Sequence, residues 1–414
     1  MNPQPATAPE PSPHAVAVGA PEGTERCPLM PSYGPPPVMF VRGSGARLWD
    51  RDDREYLDFL SGLAVTSLGH SHPRVAAALA AQATRLLHVS NLFATEHNGA
   101  VAQTLDGLVG GGGQVFFCNS GAEANEAAIK LARRWAGWGR HTVITTLRSF
   151  HGRTLATLHA TGQPEKHEVF QPLPEGFRHV PFADVEAVAD AVDETTAAVL
   201  VEPIQGEGGV NVPPAGYLGG LRARCDERGL LLMFDEVQTG LARTGRWFAH
   251  QHTGASPDVV TMAKALGNGV PIGACWARAD VAGAFRPGDH ATTFGGQPLA
   301  TAAARAVLDT MIEMDAPAAA TAAGERLRAG LEALGGVTAV RGFGLLLAAE
   351  LHQELDRSAA DVAAGCLAAG LVVNAVTPSA VRFAPPLVVS DDEIDEAVGR
   401  FAAVLAAPTE PAGG

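Results

Sequence analysis

Lysine is almost missing from this chain of 414 residues: Lys130, Lys166 and Lys264 are the only three. Acids outnumber bases 44 to 30, for a net charge of −14. A protein that grips nucleic acid through its phosphates needs a basic surface, so no nucleic-acid partner is expected. Long hydrophobic runs are also missing. Nothing approaches the roughly 20 apolar residues of a membrane span, so no membrane partner is expected either. Cysteine is sparse and scattered (Cys27, Cys118, Cys225, Cys275, Cys366), with no CxxC pair. That excludes a disulfide framework and fits reduced thiols in the cytoplasm. Residues 1–27 lack the basic start and apolar centre of a signal peptide and carry acids that a transit peptide avoids. Rich in Pro and Ala and without apolar periodicity, they read as a disordered extension, and residues 407–414 as a disordered tail. The 46% of hydrophobic residues suits a soluble globular protein of two or three domains.

The chain is organised around residues 229–273. An unbroken apolar run, Leu230, Leu231, Leu232, Met233 and Phe234, reads as a central strand buried on both faces. It ends in Asp235 and Glu236, at the sheet edge where open α/β folds bind ligands. A second short run, Val259 to Met262, delivers Lys264 between two alanines. Lys130 falls in a helical stretch and Lys166 in a polar run, so Lys264 alone is placed for desolvation to lower its pKa and make it a nucleophilic amine. A strand-end aspartate with a desolvated lysine is what pyridoxal phosphate chemistry needs: an amine to hold the cofactor and an acid to keep its ring nitrogen protonated. A core strand ending in a solvated acid, with Lys264 snorkelling to water, accounts for these residues equally well.

Other segments repeat the pattern. The strand 114–118 runs through Asn119, Ser120 and Gly121 into a helix over 122–136, a turn whose small residues let a helix start approach an anion. The strand 142–145 leads to Phe150, His151, Gly152 and Arg153, where an aromatic could stack on a flat ring and Arg153 could hold a carboxylate. The strand 197–201 ends in Glu202 and continues to Glu207 in a glycine-rich turn (Gly206, Gly208, Gly209) with room to move. Thr292 and Thr293 open another glycine-rich turn. Earlier, 47–50 and 55–59 suggest a hairpin, and His70 and His72 sit in a loop before a helix over 75–87 rather than in a metal site. A further helix is expected over 98–108. After residue 315, alanine-rich helices alternate with strands expected at 338–351, 371–376 and 380–383, the last carrying Arg382. The final helix starts on a capping box, Ser390 to Glu393, with Ile394, Val398, Phe401 and Leu405 on its apolar face. A parallel-sheet unit followed by a small mixed unit makes an α/β architecture.

Taken in order, CNSGAEANE (118–126), FHGR (150–153), VEPIQGE (201–207), FDEVQTG (234–240), MAKAL (262–266) and TTFGG (292–296) resemble the class III aminotransferases, pyridoxal 5′-phosphate enzymes of fold type I. The likeness runs from about residue 30 to 406. It implies a large domain (75–314) with a mostly parallel seven-stranded-type sheet flanked by helices, a smaller α/β domain (315–406), and an amino-terminal segment (28–74) packing with the latter. It implies that Lys264 carries the cofactor, Asp235 pairs with the pyridine nitrogen, Gln238 bonds the ring hydroxyl, and Phe150 stacks on the ring. Ser120, Gly121 and Ala122 would hold the phosphate, and Thr293 would reach the phosphate of a partner subunit in a homodimer. Arg153 and Thr292 would contact the amino donor, with Tyr33 near the substrate. Glu207 and Arg382 resemble the family's switch pair, in which Arg382 grips the α-carboxylate of glutamate or 2-oxoglutarate. Within the class the likeness is nearest to members that use N2-acetylornithine; donors such as ornithine, succinyldiaminopimelate and 4-aminobutyrate share nearly every motif. A non-catalytic relative that only binds the cofactor is the alternative of another class, and intact Lys264, Asp235 and Arg382 oppose it. Gln297, where the family often has Asn, and the proline-rich extension are the departures.

Overall fold

The computed structural model describes residues 29–407; the expected extension over 1–27, and the expected tail apart from residue 407, lie outside the described residues. Three strands come first, β1 (Phe40–Ser44), β2 (Arg47–Asp50) and β3 (Glu55–Asp58). The expected hairpin is the antiparallel pair β2–β3, with Arg47 opposite Leu57. Seven strands then build the central sheet: β4 (Gly113–Cys118), β5 (Thr142–Thr146), β6 (Phe177–Val180), β7 (Thr196–Val201), β8 (Leu231–Asp235), β9 (Val259–Met262) and β10 (Gly273–Arg278). Their spatial order is β4-β10-β9-β8-β7-β5-β6, and only β10 runs against its neighbours.

Every residue of β7 and β8 is buried, as an apolar run without alternation requires. The two faces are still distinct. Ala198, Leu200, Leu231 and Met233 pack with Ala127, Ala128 and Leu131 of the helix Gly121–Ala136. The intervening Val199, Val201, Leu232 and Phe234 pack with Tyr217, Leu218 and Leu221 of the helix Tyr217–Arg228. A side-chain period of two against a helix on each side yields this split. Each such leucine contributes roughly 1.5–3 kcal/mol by burial, which makes the strand ends a rigid platform.

The remaining strands are β11 (Val337–Phe343), β12 (Leu346–Leu351), β13 (Leu371–Val372), β14 (Asn374–Thr377) and β15 (Ala380–Phe383). Four of them form a second sheet in the order β11-β12-β15-β14, while β13 runs parallel to β3. Two expectations are corrected here. The single strand expected over 338–351 is the hairpin β11–β12, turning at Gly344 with φ +52°, where a Cβ would come within 2.6 Å of Thr244 carbonyl carbon. The strand expected over 371–376 divides, because Leu371 pairs with Leu57 in one sheet and Asn374 with Arg382 in another. The first long helix runs Pro73–Ala83, leaving Leu86 and Leu87 outside it and exposed; the second, Asn98–Val109, ends within a residue of expectation. His70 Nε2 lies 2.7 Å from Asp58 Oδ2, and no group of residues suited to a metal ion exists among the described residues. The last helix, Asp391–Ala406, begins on the expected capping box and buries Ile394, Phe401 and Leu405, with Val398 packed half-buried beside them. No helix among the described residues is long and apolar enough to cross a membrane.

Candidate active site

Five parallel strands release the chain at one edge of the central sheet, and each release point carries a predicted functional residue. Strand β4 leads to Ser120, Gly121 and Ala122, β5 to Phe150 and Arg153, and β7 to Glu202 and Glu207. Strand β8 ends in Asp235 with Gln238 just beyond it, and β9 leads to Lys264. All of these line one cavity of about 390 Å³, a volume suited to a small ligand or cofactor.

Lys264 follows β9 in a short turn with φ +41°, a conformation that L-residues with side chains rarely adopt. Strain of this kind is kept where the surrounding structure imposes it, as at a site that must aim one side chain. Burial lowers the Lys264 pKa to about 8, outweighing the pull of Glu207; Arg382 lowers it further, while Asp235 and Glu202 raise it. The expectation that only Lys264 is desolvated is too narrow, since burial lowers Lys166 as well. The Lys166 amine, however, is tied to Gln163 Oε1 and lies outside the cavity lining, and Lys130 donates to the carbonyl of Asp289 at 3.0 Å.

Asp235 is buried, with both oxygens engaged. Oδ2 accepts from Asn125 Nδ2 at 2.7 Å and from His151 Nδ1 at 2.8 Å, and Oδ1 accepts from Val237 N at 3.0 Å. Asn125 is itself fixed: its Oδ1 accepts from Thr261 Oγ1 at 2.7 Å and its Nδ2 also donates to His151 O at 2.8 Å. Asn125 and His151 were not assigned roles from the sequence, although both lie inside the motifs quoted above. Asn125 sits one helical turn beyond Gly121, hence on the face that looks into the site, and that spacing was the available signal.

The helix Gly121–Ala136 starts at the cavity, one residue earlier than expected. Ser120 Oγ accepts from Glu123 N at 3.1 Å and Ser120 O accepts from Ala124 N at 3.0 Å. Among the described residues the N–H groups of Gly121 and Ala122 have no acceptor, which makes a built anion cradle. Gly121 is required there because a Cβ would approach Val237 Cγ1 to 2.7 Å. Opposite, Phe150 N donates to Glu202 Oε2 at 3.1 Å and Gly206 N to Glu202 Oε1 at 3.2 Å. Burial pushes the Glu202 carboxyl up to about 7. The Arg153 guanidinium lies 5.4 Å from the Phe150 ring centroid.

Arg382, fully buried in β15, donates through Nη1 to Glu207 Oε1 at 2.7 Å and to Gln238 Oε1 at 3.2 Å, and its Nη2 has no partner among the described residues. Burial opposes the charge on Glu207, but Arg382 prevails and holds that carboxyl below its usual range. The turn carrying Glu207 is not loose, which corrects the sequence-based expectation. Gly208 O accepts from Arg148 Nη2 at 2.8 Å and Asn211 Nδ2 at 3.0 Å, and Gly209 O accepts from Arg341 Nε at 2.7 Å. Its glycines serve close approach: a Cβ on Gly208 would meet Arg148 O at 2.5 Å. Freedom of movement therefore belongs to the Glu207 side chain, which is about a third exposed.

Four predicted residues do not line this cavity: Arg382 stands behind Glu207 and Gln238, which do, and Thr292, Thr293 and Tyr33 are not brought in by their own chain. Thr292 stands behind Asn119, whose Nδ2 donates to Thr292 Oγ1 at 3.2 Å. Thr293 is exposed, and Tyr33 is 90% exposed. What remains is an amine, a tightly held carboxylate and an anion cradle around one hollow, with a guanidinium held behind its Glu207 and Gln238.

A family model described as aminotransferase class-III matches residues 30–405. The acetylornithine aminotransferase of Corynebacterium efficiens is 48% identical over 388 residues, spanning 91% of this chain and 95% of the relative. The ornithine aminotransferase of Toxoplasma gondii, with pyridoxal phosphate partly occupying its active site, superposes with a TM-score of 0.86 at 36% identity, covering 91% and 92% of the two chains. The N-acetylornithine aminotransferase of Stenotrophomonas maltophilia gives 0.79 at 37% identity, covering 90% and 96%. A match this long and this similar, laid over strand ends that converge on Lys264, makes the chain a member of the class III aminotransferases.

Proposed function

We propose that the chain uses pyridoxal 5′-phosphate to move the δ-amino group of N2-acetyl-L-ornithine to 2-oxoglutarate, giving N-acetylglutamate 5-semialdehyde and glutamate for arginine biosynthesis. The observation that carries the reaction type is Lys264 and Asp235 on adjacent strand ends of one cavity, with Arg382 masked by Glu207 beside them. The donor is supported by the relatives named for acetylornithine. The residues present fit the cofactor: a free helix start for its phosphate, a carboxylate for its ring nitrogen and a lowered-pKa amine. Bound there, pyridoxal phosphate supplies an electron sink for the carbon that loses its proton. Lys264 would hold the cofactor, and its Nζ would carry that proton. Asp235 would pair with the ring nitrogen, Gln238 with the ring hydroxyl and Phe150 with the ring face, and Arg153 would serve the donor; Thr292 and Tyr33, outside the cavity lining, would do so only once a partner or a substrate completes the site. A half-reaction screen of acetylornithine, ornithine, succinyldiaminopimelate and 4-aminobutyrate, read from cofactor absorbance, tests the donor. Acetylornithine should react fastest, and a faster rival would replace it.

Because only the neutral amine attacks an aldehyde, cofactor capture should follow the lowered Lys264 pKa. For the cofactor-free enzyme, the rate of pyridoxal phosphate capture should rise with pH and level off above about 8. A rate still climbing steeply between pH 9 and 10 would contradict that environment.

One site must take two unlike substrates. Acetylornithine reacts at its distal amine, whereas glutamate reacts at the carbon bearing its α-carboxylate. Arg382 masked by Glu207 admits the first; with Glu207 swung away, its guanidinium grips the second. Glu207→Ala should therefore favour glutamate and other α-amino donors over acetylornithine. Arg382→Ala should damage the 2-oxoglutarate half-reaction more, losing a contact worth roughly 1.5–3 kcal/mol. Single-turnover rates that fall equally in both half-reactions would make the pair merely structural.

We further assign a homodimer in which Thr293 serves the partner's phosphate. Asn91 Nδ2 donates to Thr292 O at 3.1 Å and Gly295 O at 2.9 Å, joining two segments that expose Leu87, Leu92, Phe93 and Phe294 around Thr293. Exposed apolar side chains on two segments joined in this way suit a second copy. Sedimentation at assay concentration should find a dimer, and Thr293→Ala should weaken cofactor binding by about tenfold, the worth of about 1.4 kcal/mol. A fully active monomer would refute the arrangement. Division into a large unit (75–314) and a small one (315–406) is supported by the seven-stranded sheet and the β11-β12-β15-β14 sheet each falling wholly within one of those spans. A cytoplasmic location is supported by Cys118, Cys225, Cys275 and Cys366 being free and buried.

A further inference from the structure

We infer that Arg243 is a positioning residue for the acceptor half-reaction, setting where Arg382 lies by tying the end of the β12–β15 pair to the segment that carries Gln238. This rests on the proposed function, in which Arg382 grips the α-carboxylate of 2-oxoglutarate.

Arg243 is one of the two largest fully buried side chains, the other being Arg382. Arg382 has a carboxylate beside it, but among the described residues no carboxylate bonds to Arg243. Its acceptors are instead three points on separate parts of the chain. Nη1 donates to Leu345 O at 3.1 Å and to Pro385 O, and Nη2 donates to Ser67 Oγ at 2.9 Å. Leu345 N returns a bond to Arg243 O at 3.0 Å. Leu345 precedes β12, and Pro385 lies two residues beyond the end of β15, the strand that β12 pairs, where Ala348 stands opposite Arg382. Arg243 itself follows Gln238 by five residues, and Gln238 Oε1 accepts from Arg382. The guanidinium thus fastens the frame of Arg382 to the very segment that Arg382 must reach.

A buried cation is costly to desolvate, and a neutral side chain would fill the same space. A planar fork, however, spans three acceptors at fixed angles, which neither an apolar chain nor a lysine does. The two half-reactions respond differently to that frame. The acetylornithine half-reaction proceeds with Arg382 neutralised by Glu207 and tolerates a displaced strand, whereas the 2-oxoglutarate half-reaction needs the guanidinium at the α-carboxylate.

The test uses Arg243→Met and Arg243→Lys holoenzymes, with melting temperature and cofactor absorbance as controls of folding. KM for 2-oxoglutarate should rise roughly ten- to hundredfold, as a misplacement of about 1 Å produces, while the acetylornithine half-reaction stays within about threefold. Ser67→Ala removes a single acceptor and should shift the same KM upward by about threefold, the worth of one hydrogen bond; it decides the matter if the arginine variants do not fold. Equal losses in both half-reactions, or an unchanged KM for 2-oxoglutarate in a folded variant, would overturn the inference. Wild-type enzyme inert toward acetylornithine would instead sink the functional reading, and the split would then be read with whichever distal-amine donor the wild type accepts.

Discussion

Replacing Lys264 with alanine should give a folded protein without measurable transamination. The loss should be about 10⁴-fold or more, since a positioned general base alone contributes 10²–10⁴ and in the proposed function the same amine also anchors the cofactor. The fold should not suffer. Burial holds the Lys264 pKa at about 8 against an ordinary 10.5, so below pH 8 the cofactor-free protein carries an ammonium in a site that disfavours it. The unfolded chain binds that proton more readily between pH 8 and 10.5, so the wild type gains stability relative to Lys264→Ala as pH rises through that window. Cofactor-free Lys264→Ala should therefore melt no lower than wild type at pH 7, with the gap closing toward pH 10.5. Appreciable turnover by a folded, cofactor-loaded Lys264→Ala enzyme would sink the chemical role assigned to this residue.

Asp235→Asn should cost several orders of magnitude in rate for two separable reasons. In the role proposed for Asp235, the substitution removes the charge that would keep the ring nitrogen protonated, on which the electron sink depends. It also breaks a set of bonds in which every contact is an N–H donated to a carboxylate oxygen, from Asn125, His151 and Val237. An amide at position 235 turns its own N–H₂ toward donors on one side. A loss smaller than about tenfold, about 1.4 kcal/mol in barrier, would mean that Asp235 is not the nitrogen's partner.

Much of this site was legible because buried parallel strands announce themselves. The run through Leu231 and Phe234 could only be buried on both faces, and Asp235 at its end could only face the sheet's carboxyl edge. Legibility failed where a residue's meaning lies in a distant partner. Asn125 and His151 are fixed by Asp235, 110 and 84 positions away, and Arg243 by Leu345 and Pro385, 102 and 142 positions away. No local pattern encodes such contacts. Pairing also decided the strands near the carboxyl end: one apolar stretch around Val373 serves two sheets, and Gly344 folds another back on itself. The glycines around Glu207 were misread for a third reason. Glycine marks both looseness and close approach, and here the neighbouring Arg148 and Arg341 decide for approach.

The central claim is that Lys264 alone holds the cofactor, and the scarcity of lysine makes it unusually easy to test. Borohydride reduction of the holoenzyme fixes whatever linkage joins lysine to pyridoxal phosphate, and peptide mapping then locates it among Lys130, Lys166 and Lys264. The account predicts loss of the yellow colour and one labelled peptide, containing Lys264. Label on Lys130 or Lys166, or no label on a protein that retains full activity, would contradict it.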